Sequence, residues 1–187
     1  MTRAELEHAI RAACDVARTT DVIVIGSQAI LGTHPDAPPR LRQSMEVDMV
    51  FPGRPDLADR VEGALGEDSM FHHTHAFYVQ GLTLEAPGPI LPPGWEERLV
   101  AVQNANTRQC TGRCLEPHDL AASKLAAFRP KDLDYVRVML AEHLITGATL
   151  LERVASLSTN EERRERLRRW IEATVKSLPS AVRADDA

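Results

Sequence analysis

Cysteine is scarce: Cys14, Cys110 and Cys114 are the whole complement. An odd count argues against a paired disulfide framework. The two nearest, in "CTGRC", lack zinc-type spacing and a second ligand pair, so reduced structural thiols are expected. No apolar run approaches the roughly 20 residues a membrane helix needs, and the charged start "MTRAELEHAIRAAC" leads into no signal-like segment. A cytoplasmic protein without a membrane partner is expected. Positive charge is not in excess: 22 Lys and Arg face 27 Asp and Glu, a formal charge of -5. That balance argues against a generic basic nucleic-acid binder while leaving room for a local basic patch. Aromatics are few at 4%, yet 43% hydrophobic and 26% charged residues are ordinary for a globular chain. Repeats and low-complexity stretches are missing too, and the final "SAVRADDA" reads as a frayed tail.

What is present fits one well-buried core, since 187 residues suffice for one compact unit. Leu6, Ile10, Ala13 and Ala17 recur at helical spacing, which predicts an amphipathic helix over residues 3–18. "DVIVIG" is a short, continuously apolar, β-branched run closed by Gly26, as expected of a central strand, and "SQAILG" resembles a brief helix. The stretch from Thr33 to Gln43, with three prolines, reads as an exposed loop. In "SMEVDMVF" alternation sends Met45, Val47, Met49 and Phe51 to a core face, and Ser44, Glu46, Asp48 and Val50 to the other. "PDLADRVEGALG" has a proline start and glycine stop typical of a helix, while "HAFYVQGLTLE" and "ERLVAVQN" read as strands. Four segments with helical periodicity follow: "PHDLAASKLAAFR", "KDLDYVRVMLAEHL", "GATLLERVASL" and "NEERRERLRRWIEATVKSL". The expected fold class is α+β, with an α/β core over residues 1–115 and a helical region over 116–180 packed on it as one unit.

The chemistry concentrates between Val22 and Phe51. Residues two apart on a strand project the same way about 6.5–7 Å apart, so Glu46 and Asp48 can converge on a cation. Carboxylate oxygens suit Mg²⁺, which needs only one or two of them when phosphate and water fill its other positions. Gly26 lets a phosphate approach the backbone, and Ser27 with the following amides offers donors at a helix start. A strand edge whose acids simply face water accounts for the same local pattern.

"IGS" followed by "EVD" on the next strand resembles the nucleotidyltransferase superfamily of DNA polymerase β type, with its Gly-Ser and paired-acid strand. "LEPHDLAASKLAAFRPKDLDYVRVML" is similar to the Asp-x-x-x-x-Lys…Arg…Lys-Asp segment of the AbiEii and MenT toxin nucleotidyltransferases and related bacterial proteins. "FHHTHAFYVQG" and "LPPGWEERLV" look like that group's middle segments, so the likeness runs from about Val22 to Leu151. The resemblance implies a polymerase β-like mixed sheet with a C-terminal helical half. It implies Mg²⁺, or Mn²⁺, at Glu46 and Asp48, and an NTP held by Gly26, Ser27 and Ser44, with Lys124 supporting its triphosphate. Asp132 matches the acid of the Lys-Asp step and would orient Lys124 or the nucleotide. The first strand acid is Glu46 where aspartate is commoner, and the third carboxylate has only Glu85, on "LTLE", as a candidate general base. In MenT-type toxins the acceptor is the tRNA 3′ end, which implies tRNA and an antitoxin protein as partners. A small molecule or a protein as acceptor, or an inactive module keeping the fold for binding, would share these residues.

Some residues keep two readings. Arg40 and Arg42 can fork onto phosphates or be ordinary loop charges. His72, His73 and His75 lack a companion ligand cluster, so a structural or substrate-contact role is expected ahead of zinc. Arg163, Arg164, Arg166, Arg168 and Arg169 can follow an RNA backbone, or pair with Glu161, Glu162 and Glu165 as a solvated helix.

Overall fold

The computed structural model describes residues 1–84 and 88–178. The chain divides into two units, one of Met1–Gly88 with Arg98–Glu116 and one of Pro89–Glu97 with Pro117–Ala187. Residues 89–97 belong with the helices rather than with the sheet.

In the first unit α1 (Arg3–Ala17) starts in a capping box, in which the Thr2 hydroxyl accepts from the Glu5 amide and the Glu5 carboxylate accepts from the Thr2 amide. Its apolar stripe of Leu6, Ala9, Ile10 and Ala13 is wholly buried. β1 (Asp21–Ile25) follows, then a 3₁₀ turn (Ser27–Ala29), the single helical turn α2 (Ile30–Thr33) and a second 3₁₀ turn (Pro39–Leu41). β2 (Glu46–Val50), α3 (Pro55–Leu65), α4 (Met70–His75), β3 (Tyr78–Leu82), β4 (Val100–Val102) and β5 (Thr111–Cys114) complete it.

The strands form one mixed sheet in the order β3-β2-β1-β5-β4. β1 is central, antiparallel to β2 and parallel to β5, so Val22 to Ile25 are all buried, which explains their unbroken apolar run. β2 runs parallel to β3, and β4 antiparallel to β5. Gly112 on β5 lies under α1: a Cβ there would fall 2.3 Å from Ile10 Cδ1, so glycine lets the helix close on the sheet.

Several expectations need correction. Met45 is not a core residue; it precedes β2 and is 53% exposed, because the Ser44 hydroxyl bends the chain by accepting from the Glu46 amide. Val47, Met49 and Phe51 are buried as the alternation predicts, but Val50 on the opposite face is buried too. β2 is an interior strand, so its acid face is open only towards its N-terminal end. The Thr33–Gln43 loop is not wholly exposed, since Ala37 and Leu41 are buried. "HAFYVQGLTLE" begins as a strand only at Tyr78 because its histidine closes α4, and Glu97 and Arg98 lie in a 3₁₀ turn before β4. The expected candidate Glu85 lies outside the described residues.

The second unit contains α5 (Pro117–Ala127), α6 (Pro130–Ala141), α7 (Gly147–Ala155) and α8 (Glu161–Ser177), as the periodicity predicts. Pro130 opens α6, while the side chains of Thr146 and Asn160 accept from Thr149 and Arg163 amides to cap α7 and α8. Leu120, Leu125, Met139, Leu150 and Leu167 are buried in it. Among the described residues no helix is long and apolar enough to cross a membrane.

Gly81 tests the packing of α3 on β3. A Cβ there would fall 2.1 Å from the Ala58 carbonyl oxygen, a backbone atom that cannot rotate away. Gly81→Ala is expected to destabilise the protein by about 1–3 kcal/mol, read as a lower urea midpoint. An unchanged midpoint would mean that the helix does not lie this close.

Candidate functional site

The antiparallel register pairs Ile25, the last residue of β1, with Asp48 on β2. The next residue, Gly26, therefore turns directly over the Asp48 side chain. Its φ of 69° lies in the region that disfavours L side chains, and an added Cβ would sit 1.8 Å from Asp48 Oδ2. Both dihedral and space require glycine, so main chain and carboxylate stand side by side. The helix after Gly26 is short, a 3₁₀ turn followed by the one-turn α2, so helix-dipole attraction for a phosphate is small. The expected phosphate cradle rests on the Gly26-Ser27 turn itself.

Glu46 and Asp48 share the partly open face of β2. The parallel register sets Tyr78 opposite Glu46 and Gln80 opposite Asp48. The Tyr78 hydroxyl donates to Glu46 Oε2 at 3.2 Å. Burial first, then the charge of Glu46 and the hydrogen bond to it, and then the charges of Glu67 and Asp48 push the Tyr78 phenol up to about 12, so it stays a neutral donor. Ser44 joins through its backbone and hydroxyl: its carbonyl accepts from Gln28 Nε2 at 3.1 Å, and its Oγ accepts from the Glu46 amide at 3.1 Å. Gln28 is fully buried, so a polar side chain ties the Gly-Ser turn to the start of the acid strand.

Among the described residues no three or more His, Cys, Asp or Glu side chains form a metal cage. The acid pair is thus a two-carboxylate donor set. That chemistry fits a hard cation such as Mg²⁺, which keeps water and takes phosphate oxygens, and not a protein-only zinc site. Position 80, beside Asp48, is glutamine, so β3 adds no third acid at that register.

Arg40 lies in the 3₁₀ turn before β2 and is exposed, whereas Arg42 is partly buried and its carbonyl accepts from the Met1 ammonium. The histidines have mostly structural work. His75 meets His8 edge to face, ring centroids 4.4 Å apart, and Phe71 and Phe77 complete that aromatic group. His72 Nδ1 accepts from the Asp68 amide at 3.1 Å.

Lys124 and Asp132 lie in the second unit. Lys124 Nζ is 3.3 Å from Asp132 Oδ1, and Arg129 Nε is 2.6 Å from Asp132 Oδ2. Asp132 is almost completely buried, Lys124 is mostly buried, and the lysine ammonium also lies over the Tyr135 ring at 4.4 Å. Asp132 therefore holds two cations. Arg129 was missed as its partner, although the i,i+3 spacing was a usable signal. On α8, Arg164 pairs with Glu161, Arg168 with Glu165 and Glu172, and Arg169 with Glu165, while Arg166 covers the Phe128 ring. The paired reading of that helix describes Arg164, Arg168 and Arg169, whereas Arg163 donates to the Ala126 carbonyl.

Removing the buried anion leaves Lys124 charged in a mostly dry site. Asp132→Ala is expected to cost about 3–5 kcal/mol, and Lys124→Met in the same chain to restore much of it. Urea unfolding of the single and double variants checks this; a harmless Asp132→Ala would remove the ion pair from the account.

Among known protein families, residues 4–174 match the one described as "Nucleotidyltransferase of unknown function (DUF6036)". No curated protein and no solved structure matches the chain.

Proposed function

The chain belongs to this nucleotidyltransferase family, and we propose that it moves a nucleoside monophosphate from an NTP to an acceptor hydroxyl with a divalent cation. The observation that carries the reading is the Gly26 main chain set against the Asp48 carboxylate, beside Glu46 on the same strand face. A phosphate at the turn and a cation at the acids would be neighbours there, as the cation's need for phosphate oxygens demands.

Glu46 and Asp48 would hold Mg²⁺ or Mn²⁺, which when bound supplies charge stabilisation at the α-phosphate. Gly26 leaves room for the phosphates, and Ser27 offers its hydroxyl and amide as donors. The acceptor oxygen bonds to the α-phosphorus, the bond to the bridging oxygen breaks, and pyrophosphate leaves with that electron pair. The hydroxyl proton passes to water. Lys124 is assigned the triphosphate's charge, with Asp132 orienting it, on the resemblance to the AbiEii and MenT enzymes.

The same resemblance makes the tRNA 3′ end the acceptor and the protein a toxin held by an antitoxin. The second reading, a binding module without turnover, draws on the neutral Gln80 beside Asp48.

Incubation with each α-³²P-NTP, Mg²⁺ and total bacterial tRNA separates these readings. Label on tRNA with wild type, reduced at least a hundredfold in Asp48→Asn and Lys124→Ala, is the expected result. Label on protein or small molecule instead would change the acceptor. No transfer to any acceptor, with NTP binding intact, would establish the inactive module.

A further inference from the structure

Glu46 is one methylene longer than Asp48, so its carboxylate has one more rotatable bond to fix before it can serve a cation. Mg²⁺ demands near-octahedral oxygens at about 2.0–2.1 Å and tolerates misplaced ligands poorly. The structure supplies the missing constraint from the neighbouring strand. Parallel pairing of β2 and β3 puts Tyr78 opposite Glu46, and its hydroxyl donates to Oε2 at 3.2 Å. Tyr78 is held in turn: its amide donates to the Met45 carbonyl at 3.0 Å, and its ring packs 4.9 Å from that of His72. The Glu46 main chain is fixed separately, through its amide to the Ser44 hydroxyl.

We propose that Tyr78 is a positioning residue that takes one oxygen of Glu46 by hydrogen bond and so presents the other to the catalytic cation. This rests on the nucleotidyltransferase reading of the acid pair and adds a residue to it. Outer hydrogen bonds of this kind orient ligating carboxylates, and their loss commonly weakens metal binding about 10–100-fold. It also follows that the length of Glu46 matters. A shortened side chain at 46 withdraws from Tyr78, so Glu46→Asp should not be conservative here.

The test is Mn²⁺ binding to the full chain without nucleotide, followed by the loss of the free-ion electron paramagnetic resonance signal. Tyr78→Phe keeps the ring and is expected to raise the Mn²⁺ Kd about tenfold while leaving the thermal midpoint unchanged. Glu46→Asp should weaken binding, and adding Tyr78→Phe to it should cost nothing more, because the hydrogen bond is already gone. That non-additivity is a signature a merely structural tyrosine would not give. Equal Mn²⁺ affinity in wild type and Tyr78→Phe, with binding lost in Asp48→Asn, would overturn the role of Tyr78 and leave the acid-pair site standing. Full additivity of Tyr78→Phe with Glu46→Asp would overturn it as well. Wild type and Asp48→Asn binding Mn²⁺ equally poorly would instead bring down the underlying reading of the acid pair.

Discussion

The approach of the Gly26 main chain to the Asp48 carboxylate is the constraint on which the first unit's site depends. It arises from pairing Ile25 with Asp48 across the two central antiparallel strands. A slip of one residue would turn the acids to the buried face, where Val47 and Met49 now sit, so the core that fixes the register also fixes the chemistry. Glycine is then the one residue that meets both the positive φ and the absent space.

Around that contact the protein spends neutral groups before charged ones. Gln28 carries the turn to Ser44, Ser44 carries the acid strand's amide, and Tyr78 carries Glu46, all without a positive charge beside the acids in these hydrogen bonds. Of these donors only the Tyr78 hydroxyl reaches a carboxylate, and a neutral donor of that type orients Glu46 without cancelling its charge. The second unit uses the opposite device. There a buried aspartate is compensated by Lys124 and Arg129, and the lysine is further held over Tyr135. Such a group depends on every partner being present.

Much of this was legible in the sequence where a pattern is local. The unbroken apolar run of β1, the alternation in β2 and the four amphipathic helices each state their own structure. The Gly-Ser turn and the acid pair were legible because their chemistry is unusual for a buried sheet. β5 was not, since "TGRC" is short and holds glycine and arginine; its strand character comes from pairing with β1 and β4 on either side. α4 was hidden for a related reason: "MFHHTH" has no apolar stripe, and what holds it is the Ser69 cap and the edge-to-face contacts of His75 and Phe71 with His8. Tyr78 and Gln28 gave no signal at all, because their partners, Glu46 and Ser44, lie far away in sequence and meet them only once the strands are in register. Lys124 and Asp132 meet across the break between α5 and α6, where Phe128 adopts a φ of 55°.

The most direct measurement is the anomalous scattering of Mn²⁺ in crystals grown with a non-hydrolysable NTP analogue. The expected result is a manganese ion bonded to one oxygen each of Glu46 and Asp48 and to the analogue's phosphates, with those phosphates against Gly26 and Ser27. Manganese elsewhere, or a nucleotide bound away from the Gly-Ser turn, would contradict the account.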